Sequence, residues 1–146
     1  MNGLSRSQAG FSLLELLVVI GIVAVILAAV VAARPRASAA RVMSAGRSVA
    51  ATLEIARARA MSSNAETVVL IDTAKGQFGQ PNAMHSLPRG ISVRLTVAEP
   101  ERVGREGGLR FYPDGQSSGG EIILTLDGKV SRISVDWLTG QPRLGS

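Results

Sequence analysis

Residues 11–33 read FSLLELLVVIGIVAVILAAVVAA, and this stretch decides the fold. From Leu16 to Ala33 the chain has 18 consecutive residues without a polar side chain. As a helix, such a run extends about 27 Å, which is close to the thickness of the bilayer hydrocarbon core. Because the run is apolar on every face, it does not suit a buried helix of a soluble domain. The pattern therefore predicts a membrane helix that is retained in the mature protein.

A cleaved secretory signal is the alternative for the same stretch. Arg6 would supply the positively charged region, and residues 31–33 (Val-Ala-Ala) resemble a signal-peptidase site. Glu15 counts against this alternative, because a carboxylate in hydrocarbon costs several kcal/mol unless it has a partner. An ionisable side chain inside an apolar helix indicates function, unless Glu15 lies near the helix end and its carboxylate reaches the interface.

The net positive charge is confined to the residues that follow the apolar run. The 146 residues carry 16 Lys+Arg and 11 Asp+Glu, a net charge of +5. Residues 34–60 hold six arginines and one glutamate, whereas residues 61–146 hold nine basic and nine acidic side chains. A basic stretch beside a membrane suits anionic lipid, acidic neighbours in an assembly, or nucleic acid. Nucleic acid ranks last, because the stretch has neither stacking aromatics nor a helix of polar base readers.

Several kinds of catalytic and metal site are excluded by composition. With no cysteine and one histidine, the chain cannot form a disulfide, a thiol nucleophile, a cysteine-based zinc site or a multi-histidine metal site. His85 lies in a loop-like stretch without a surrounding motif, which favours a surface histidine over a Ser-His-Asp triad. Residues 114–120 (DGQSSGG) lack the ending of a phosphate-binding loop. We therefore expect a protein that is not an enzyme and has no cofactor, metal or small-molecule substrate.

Residues 36–61 are predicted to form an amphipathic helical stem. Small and apolar residues recur at steps of three and four and cover an arc of about 80° on a helix. The seam residues are Val42, Gly46, Val49, Leu53, Ala56 and Ala60. Pro35 precedes the stem and cannot donate a backbone hydrogen bond, so a kink or local break is expected there.

The remaining residues are predicted to form a small antiparallel β-domain that packs on the stem. The predicted strands are residues 67–73, 91–97, 109–112, 121–126 and 129–137. The last two strands form a hairpin around Asp127-Gly128, with a bulge possible between Val130 and Ile133. Residues 77–90 and 99–108 are predicted loops. Trp137 is interpreted as a core anchor or a subunit contact.

The N-terminal residues resemble the precursors of type IV pilins and type II pseudopilins. A short leader ends at Gly10, Phe11 follows, and Glu15 is then the fifth residue, at the head of the apolar helix. The resemblance implies that a prepilin peptidase cleaves between Gly10 and Phe11 and N-methylates Phe11. It also implies that Glu15 acts in filament assembly. A carboxylate buried in a filament core needs a cation, and the amine of Phe11 on an assembled subunit would supply one.

Three motifs in the second half resemble the GspH/FimT family, in particular the H-type minor pseudopilins of type II secretion. The motifs are residues 87–90 (LPRG), 111–120 (FYPDGQSSGG) and 135–140 (VDWLTG). The resemblance implies an α+β, pilin-like fold in which a long N-terminal helix packs on an antiparallel β-sandwich. It implies a place at the tip of the pseudopilus with the I, J and K types and the major pseudopilin. The alternative is a FimT-like minor type IV pilin that acts in pilus biogenesis or DNA uptake.

These interpretations divide the chain into four segments. They are a leader peptide (1–10), a transmembrane or filament-core helix (11–33), an amphipathic stem (34–62) and a β-sandwich domain (63–146). Charge alone would leave the last domain in the cytoplasm, because the arginines after the apolar run outnumber Arg6. The resemblance implies the opposite orientation: a single pass through the inner membrane, a cytoplasmic N-terminus, a periplasmic domain and later extraction into the pseudopilus.

Overall fold

A computed structural model describes residues 12–97, 102–103 and 106–145, without the side chains of residues 33–36, 102, 103 and 106. A single helix, α1 (Leu13–Ser63), precedes nine strands in this described part. The chain divides into two compact units at the junction of Arg34 and Pro35. The apolar half of α1 belongs to the first unit, and the stem half belongs to the second.

The described strands form two antiparallel sheets. Their bounds are β1 (Thr67–Asp72), β2 (Gln77–Gln80), β3 (Ala83–Ser86), β4 (Ser92–Thr96), β5 (Arg102–Val103), β6 (Glu106–Phe111), β7 (Gly120–Leu126), β8 (Lys129–Val135) and β9 (Pro142–Gly145). Sheet A has the order β3-β2-β1-β6-β5, and sheet B has the order β4-β7-β8-β9. The predicted class, a long N-terminal helix on antiparallel sheets, is confirmed.

The buried face of the stem is the seam that helical spacing predicts. Its members other than the glycine are at most 1% exposed: Val42, Val49, Leu53, Ala56 and Ala60. Gly46 is buried as well. The seam joins one apolar core with side chains from both sheets, such as Phe111 of sheet A and Ile133 of sheet B. The stem is therefore an integral part of the core of the β-domain.

The β7–β8 hairpin forms around the predicted turn, but without the predicted bulge. Asp127 and Gly128 have φ angles of 49° and 73°, the left-handed conformations that a two-residue turn of type I′ requires. The pairing runs without interruption from Leu126–Lys129 to Gly120–Val135. Apolar alternation breaks because Ser131 occupies an inward position while Val130 is 43% exposed. The bulge prediction was wrong because Val130 points outward, so that Val130 and Ile133 do not share a face and the strand needs no extra residue between them.

Two of the predicted loops contain strands. Residues 77–90 include the β2–β3 hairpin, and residues 99–108 include β5 and the start of β6. Neither β2 (QFGQ) nor β3 (AMHS) alternates apolar and polar residues, so neither carries the sequence pattern of a half-buried strand. The strand β3 is exposed along its whole length. Pairing of β2 with β1 defines these strands. The strand β9 was likewise not predicted.

Candidate functional site

The first turn of α1 carries the predicted assembly residue, Glu15. The amide of Leu16 donates to the carbonyl of Ser12 at 3.1 Å, so Ser12 is the N-cap of the helix. Glu15 follows Ser12 by three positions, which is the spacing of a capping box. A carboxylate in the first turn is also favoured by the helix dipole. Helix chemistry alone therefore gives a reason for a carboxylate here, and a test of assembly must separate the two roles.

The apolar segment presents hydrocarbon on all sides. Its large apolar residues from Leu13 to Val31 are between 47% and 82% exposed. An 18-residue window within α1 has a mean hydropathy of 3.3 and is not buried at all. An apolar surface of this extent marks contact with membrane or protein, and its length suits one bilayer span. The segment is suited to anchoring the chain in the inner membrane by a single pass.

The other predicted site residues of the N-terminal half are Gly10, Phe11 and Pro35. Gly10 and Phe11 lie outside the described residues, so cleavage and methylation at this bond stay predictions. The helical assignment of α1 continues through Pro35, so the predicted local break is absent. A kink at Pro35 stays a prediction.

A second candidate site forms where the two more specific motifs of the β-domain meet. The amide of Ser117 donates to the carbonyl of Trp137 at 2.9 Å. The hydroxyl of Ser117 donates to the carbonyl of Asp136 at 3.2 Å. We call residues 112–119 and 136–141 the paired loops. They form one surface, although the sequence gives no sign that the two motifs meet.

Arg57 of α1 ties the paired loops to the stem. Its Nε atom donates to the carbonyl of Gly115 at 3.1 Å and to that of Thr139 at 2.9 Å. Gly140 has a φ of 63°, and a Cβ there would overlap the carbonyl oxygen of Gly115 and approach the side chain of Arg57 to 3.1 Å. Only glycine fits at that position. Arg57 follows the seam residue Ala56 directly in sequence, but only the tertiary structure shows which carbonyls its side chain contacts.

Asp136 shapes the second of the paired loops. Its Oδ1 atom accepts hydrogen bonds from the amides of Leu138 at 3.0 Å and Thr139 at 2.8 Å, and from the Thr139 hydroxyl at 3.1 Å. The Thr139 amide is the main cause of a lowered pKa of Asp136, below the ordinary 3.8, against the opposing effect of desolvation. Asp136 is therefore ionised at neutral pH and holds the turn as a carboxylate.

Asp72 closes the end of β1 in the same way. Its Oδ1 atom accepts from the amides of Ala74 at 2.9 Å and Lys75 at 2.8 Å. The Nζ atom of Lys75 lies 3.2 Å from Oδ2 of Asp72. The amide hydrogen bond from Lys75 is the largest cause of a lowered pKa of Asp72. Both carboxylates thus serve turns, and neither has the raised pKa of a general acid.

Trp137 is exposed, which corrects one of its two predicted roles. It is 63% exposed and Leu138 is 55% exposed, so Trp137 is not a core anchor. The core aromatic of the paired motifs is Phe111, which is fully buried. A Cβ at Gly119 would lie 3.1 Å from the Cβ of Trp137, so the two loops approach each other closely at this point. The role of Trp137 as a subunit contact stays a prediction.

His85 is a surface residue, as predicted, although it lies on β3 and not in a loop. Its ring centroid is 5.8 Å from that of Phe78 on the paired strand β2. Within residues 12–97, 102–103 and 106–145, no three His, Asp or Glu side chains come together in a way that could hold a metal ion.

The sequence matches two known family patterns. Residues 5–31 match the prokaryotic N-terminal methylation motif, a span that includes Gly10, Phe11 and Glu15. Residues 45–140 match the type II transport protein GspH. This second match covers most of the stem and the strands β1–β8.

Comparison with individual proteins agrees with these patterns. The chain is 36% identical over 145 residues to the type II secretion system protein H of Xanthomonas campestris pv. campestris, covering 96% of this chain and 85% of that protein. Its fold is similar to that of the minor pseudopilin EpsH of Vibrio cholerae, with a TM-score of 0.59 and 15% identity over 73% of this chain and 97% of that one. It is also similar to the type IV minor pilin FimU of Pseudomonas aeruginosa, with a TM-score of 0.55 and 17% identity over 72% and 88% of the two chains.

Proposed function

Because the chain belongs to the GspH family of type II transport proteins, we propose that it is a minor pseudopilin of the type II secretion system. It is a structural subunit at the tip of the pseudopilus, where it aids filament initiation and protein secretion across the outer membrane. The observation that carries the proposal is the 36% identity to a type II secretion system protein H along almost the whole chain. The exposed apolar half of α1 supports it, because a filament subunit needs such a surface for its neighbours.

The apolar half of α1 lies first in the membrane and later among the helices of the filament. Before assembly it anchors the chain in the inner membrane, with the N-terminus in the cytoplasm and the β-domain in the periplasm. The arginines after the apolar run oppose this orientation by the positive-inside rule, but long domains are translocated largely regardless of charge. After extraction, the same side chains pack against the helices of neighbouring subunits, where small residues such as Gly21 allow close approach. A Cβ at Gly21 would meet no atom within 4 Å apart from its chain neighbours and the nearby backbone of its own helix.

Processing prepares the assembly contact. Prepilin peptidase cleaves after Gly10, removes the cation of Arg6 with the leader, and leaves a cationic amine on Phe11. The carboxylate of Glu15 on an incoming subunit then pairs with the amine of Phe11 on an assembled subunit. A buried carboxylate strongly requires such a partner, so the pair sets the axial register as well as adding attraction.

Glu15→Gln tests this contact without removing the helix cap. Glutamine can occupy the third position of a capping box, but it carries no charge. We expect normal cleavage, methylation and membrane insertion, with loss of the variant from pseudopili that are isolated with their major pseudopilin. Glu54→Gln is the matched control, because Glu54 is an exposed carboxylate on the stem half of the same helix. Incorporation of Glu15→Gln at the wild-type level would refute the pairing.

The partners that follow from this role are the prepilin peptidase, the major pseudopilin and the I-, J- and K-type minor pseudopilins. Inner-membrane lipid is a further partner of the basic stem. Arg47 is exposed on the stem and forms no hydrogen bond or ion pair within the described part of the chain. Anionic headgroups attract such side chains by roughly 1 kcal/mol each near the surface.

A FimT-like role in pilus biogenesis or DNA uptake is the second candidate. The fold alone does not separate the two, because the TM-scores of 0.59 and 0.55 for the pseudopilin and the pilin are close. The identity to a secretion protein favours the first. A gel shift with the full chain in detergent discriminates between them, since strong binding of duplex DNA at physiological salt would favour the pilin role.

A further inference from the structure

The outer face of sheet B, which points away from the core, carries an excess of positive charge. Alternation along the strands turns Leu95, Ile122, Leu124 and Ile133 inward, where all four are buried. The side chains that point outward are Ser92, Arg94, Thr96, Glu121, Ile123, Thr125, Val130, Arg132, Ser134 and Arg143. Three arginines and one glutamate therefore lie on a face whose other members are hydroxyl or aliphatic residues.

Strand register places two of these arginines on either side of an aliphatic residue. Arg94 pairs with Ile123, and Ile123 pairs with Arg132, in one row across β4, β7 and β8. Since neighbouring strands are about 4.8 Å apart, the Cα atoms of Arg94 and Arg132 are roughly 10 Å apart. A shallow cleft of about 410 Å³ lies between them, with Ile123, Thr125 and Val130 among its lining residues. We call these five residues the arginine face.

The charge of this face is not neutralised within the described part of the chain. Arg94 is exposed and makes no hydrogen bond or ion pair there. Arg132 shares a single contact with Glu121, at 3.4 Å between Nη1 and Oε1. Most other described carboxylates of the β-domain are engaged in turns, in the Glu66–Arg110 pair or in the hydrogen bond from Ser38 to Asp127. A domain with equal numbers of acidic and basic residues thus presents one unpaired arginine, Arg94, and an excess of positive charge on one side.

We propose that the arginine face docks an acidic segment of a partner protein. The segment presents two carboxylates, one for each guanidinium group, with an aliphatic side chain between them that lies on the cleft floor. Guanidinium groups bind carboxylates through paired hydrogen bonds, so the two arginines add orientation as well as attraction. The aliphatic floor excludes water between the two charged contacts, as at the centre of a protein interface.

A protein partner is favoured over other anionic partners by the composition of the face. The face has no aromatic side chain among its described residues, whereas single-stranded nucleic acids stack their bases on aromatics. Arginine binds phosphates as readily as carboxylates, but the phosphates of a duplex or of a lipid surface leave Ile123 and Val130 without a complementary group. An acidic and aliphatic protein segment satisfies both parts of the face.

Cross-linking in secreting cells tests the proposal with the full chain. A photoreactive benzoylphenylalanine is placed at Thr125, within the cleft, and the adducts are identified by mass spectrometry. We expect a protein adduct whose cross-linked peptide contains Asp or Glu, and we expect Arg94→Glu to lower its yield about tenfold or more. Arg89→Glu is the matched control, because Arg89 is an exposed arginine that precedes β4 and is not part of the arginine face. That variant should leave the yield unchanged.

The choice of variants protects the test from loss of folding. Arg94 has no partner within the described part of the chain, so its reversal removes no internal contact. Arg132→Gln is the second variant, since a glutamate at this position would repel Glu121. We expect it to lower the yield as well. Lysine substitutions of the carboxylates in the cross-linked peptide should restore the adduct in the Arg94→Glu background.

Four results would overturn the proposal: no protein adduct, an adduct with nucleic acid or lipid, an adduct that persists in Arg94→Glu, or a failed charge swap. The proposal does not depend on the pairing of Glu15. Loss of filament incorporation in Glu15→Gln and loss of the Thr125 adduct in Arg94→Glu are separate results, so either can fail while the other stands.

Discussion

Gly46 of the stem lies so close to Ser131 of β8 that no larger residue fits. A Cβ built at Gly46 would overlap the Oγ atom of Ser131 and would approach the Cδ1 atom of Leu144 to 3.1 Å. Alanine is favoured over glycine in a helix interior by about 1 kcal/mol, so packing and not helix propensity requires glycine here. Ser131 is fully buried, and its Oγ has no hydrogen-bond partner in the described structure. A single hydroxyl therefore limits the contact between stem and sheet B.

Gly46→Ala should destabilise the protein by about 1–3 kcal/mol through overpacking. Ser131→Ala should be neutral or stabilising, because it removes a buried hydroxyl without a partner. In the Ser131→Ala background, Gly46→Ala should cost less, since the overlapping oxygen is gone. Chemical denaturation of the four proteins in detergent gives the coupling free energy of this double-mutant cycle. If the changes in the free energy of unfolding caused by Gly46→Ala and Ser131→Ala simply add, the proposed contact between the two residues is contradicted.

The lowered pKa of Asp136 should make the stability of the folded protein depend on pH in the acidic range. Because its pKa is lowered from the ordinary 3.8 in the folded state, it contributes stability above pH 3.8. That contribution is lost as the pH falls through the lower folded pKa. Asp136→Asn keeps an oxygen that can accept from the amides of Leu138 and Thr139, but it cannot titrate. Its denaturation midpoint should therefore depend less on pH below about 4 than that of the wild type, and equal slopes would contradict this role.

At the scale of elements, the two halves of α1 differ in the surface that they present. The first half exposes its apolar side chains, and the second half buries a narrow seam against both sheets. Arg57 adds a polar clamp at the edge of that seam by donating to one carbonyl in each of the paired loops. The stem thus contacts the β-domain in two ways: its seam packs in the core, and Arg57 beside the seam hydrogen-bonds to the paired loops.

Two neighbouring positions of the stem should respond very differently to truncation. Leu53 is fully buried in the seam, whereas Ile55 is 61% exposed. Leu53→Ala should lower the free energy of unfolding by about 2–5 kcal/mol, because it leaves a cavity in the shared core. Ile55→Ala, the matched control on the same helix, should change it by no more than about 0.5 kcal/mol. Denaturation curves of both variants decide the matter, and similar losses would show that the stem is not packed as described.

At the scale of the whole molecule, the proposed maturation would change the distribution of charge. The net charge of +5 resides on residues 34–60, and the rest of the chain is balanced. Cleavage after Gly10 would remove Arg6 and create an amine on Phe11, which moves a positive charge to within reach of a neighbour's Glu15. The arginine face is a separate, local excess within a balanced domain.

The intact mass of the mature protein tests this maturation directly. We expect a chain that begins at Phe11 with one added methyl group, because the residues around Gly10 match the methylation motif. A secretory signal would instead give a chain that begins near Arg34 and lacks the apolar segment. Mass spectrometry of the protein purified from membranes separates the two, and a start near Arg34 would eliminate the filament role.

Local sequence patterns predict the apolar half of α1, the stem seam and the β7–β8 turn. The apolar run, the three-to-four spacing and the Asp127-Gly128 pair each act over one element, so their structural meaning is present in the neighbouring residues themselves. For the same reason the sequence alone singles out Gly10, Phe11 and Glu15. The processing and assembly roles of these three residues remain predictions.

Contacts between residues far apart in sequence determine the features that the sequence did not predict. The strand β2 forms because it pairs with β1, and β3 forms because it pairs with β2. Ser131 faces inward, although it is polar, because the register of β7 and β8 fixes the direction of every side chain on the strand. The paired loops meet under Arg57, and Trp137 faces outward, because residues far apart in sequence fill the space beside the stem. Such placements depend on the packing of α1 with two sheets. Only the tertiary structure contains that information, since no single segment specifies what lies opposite it.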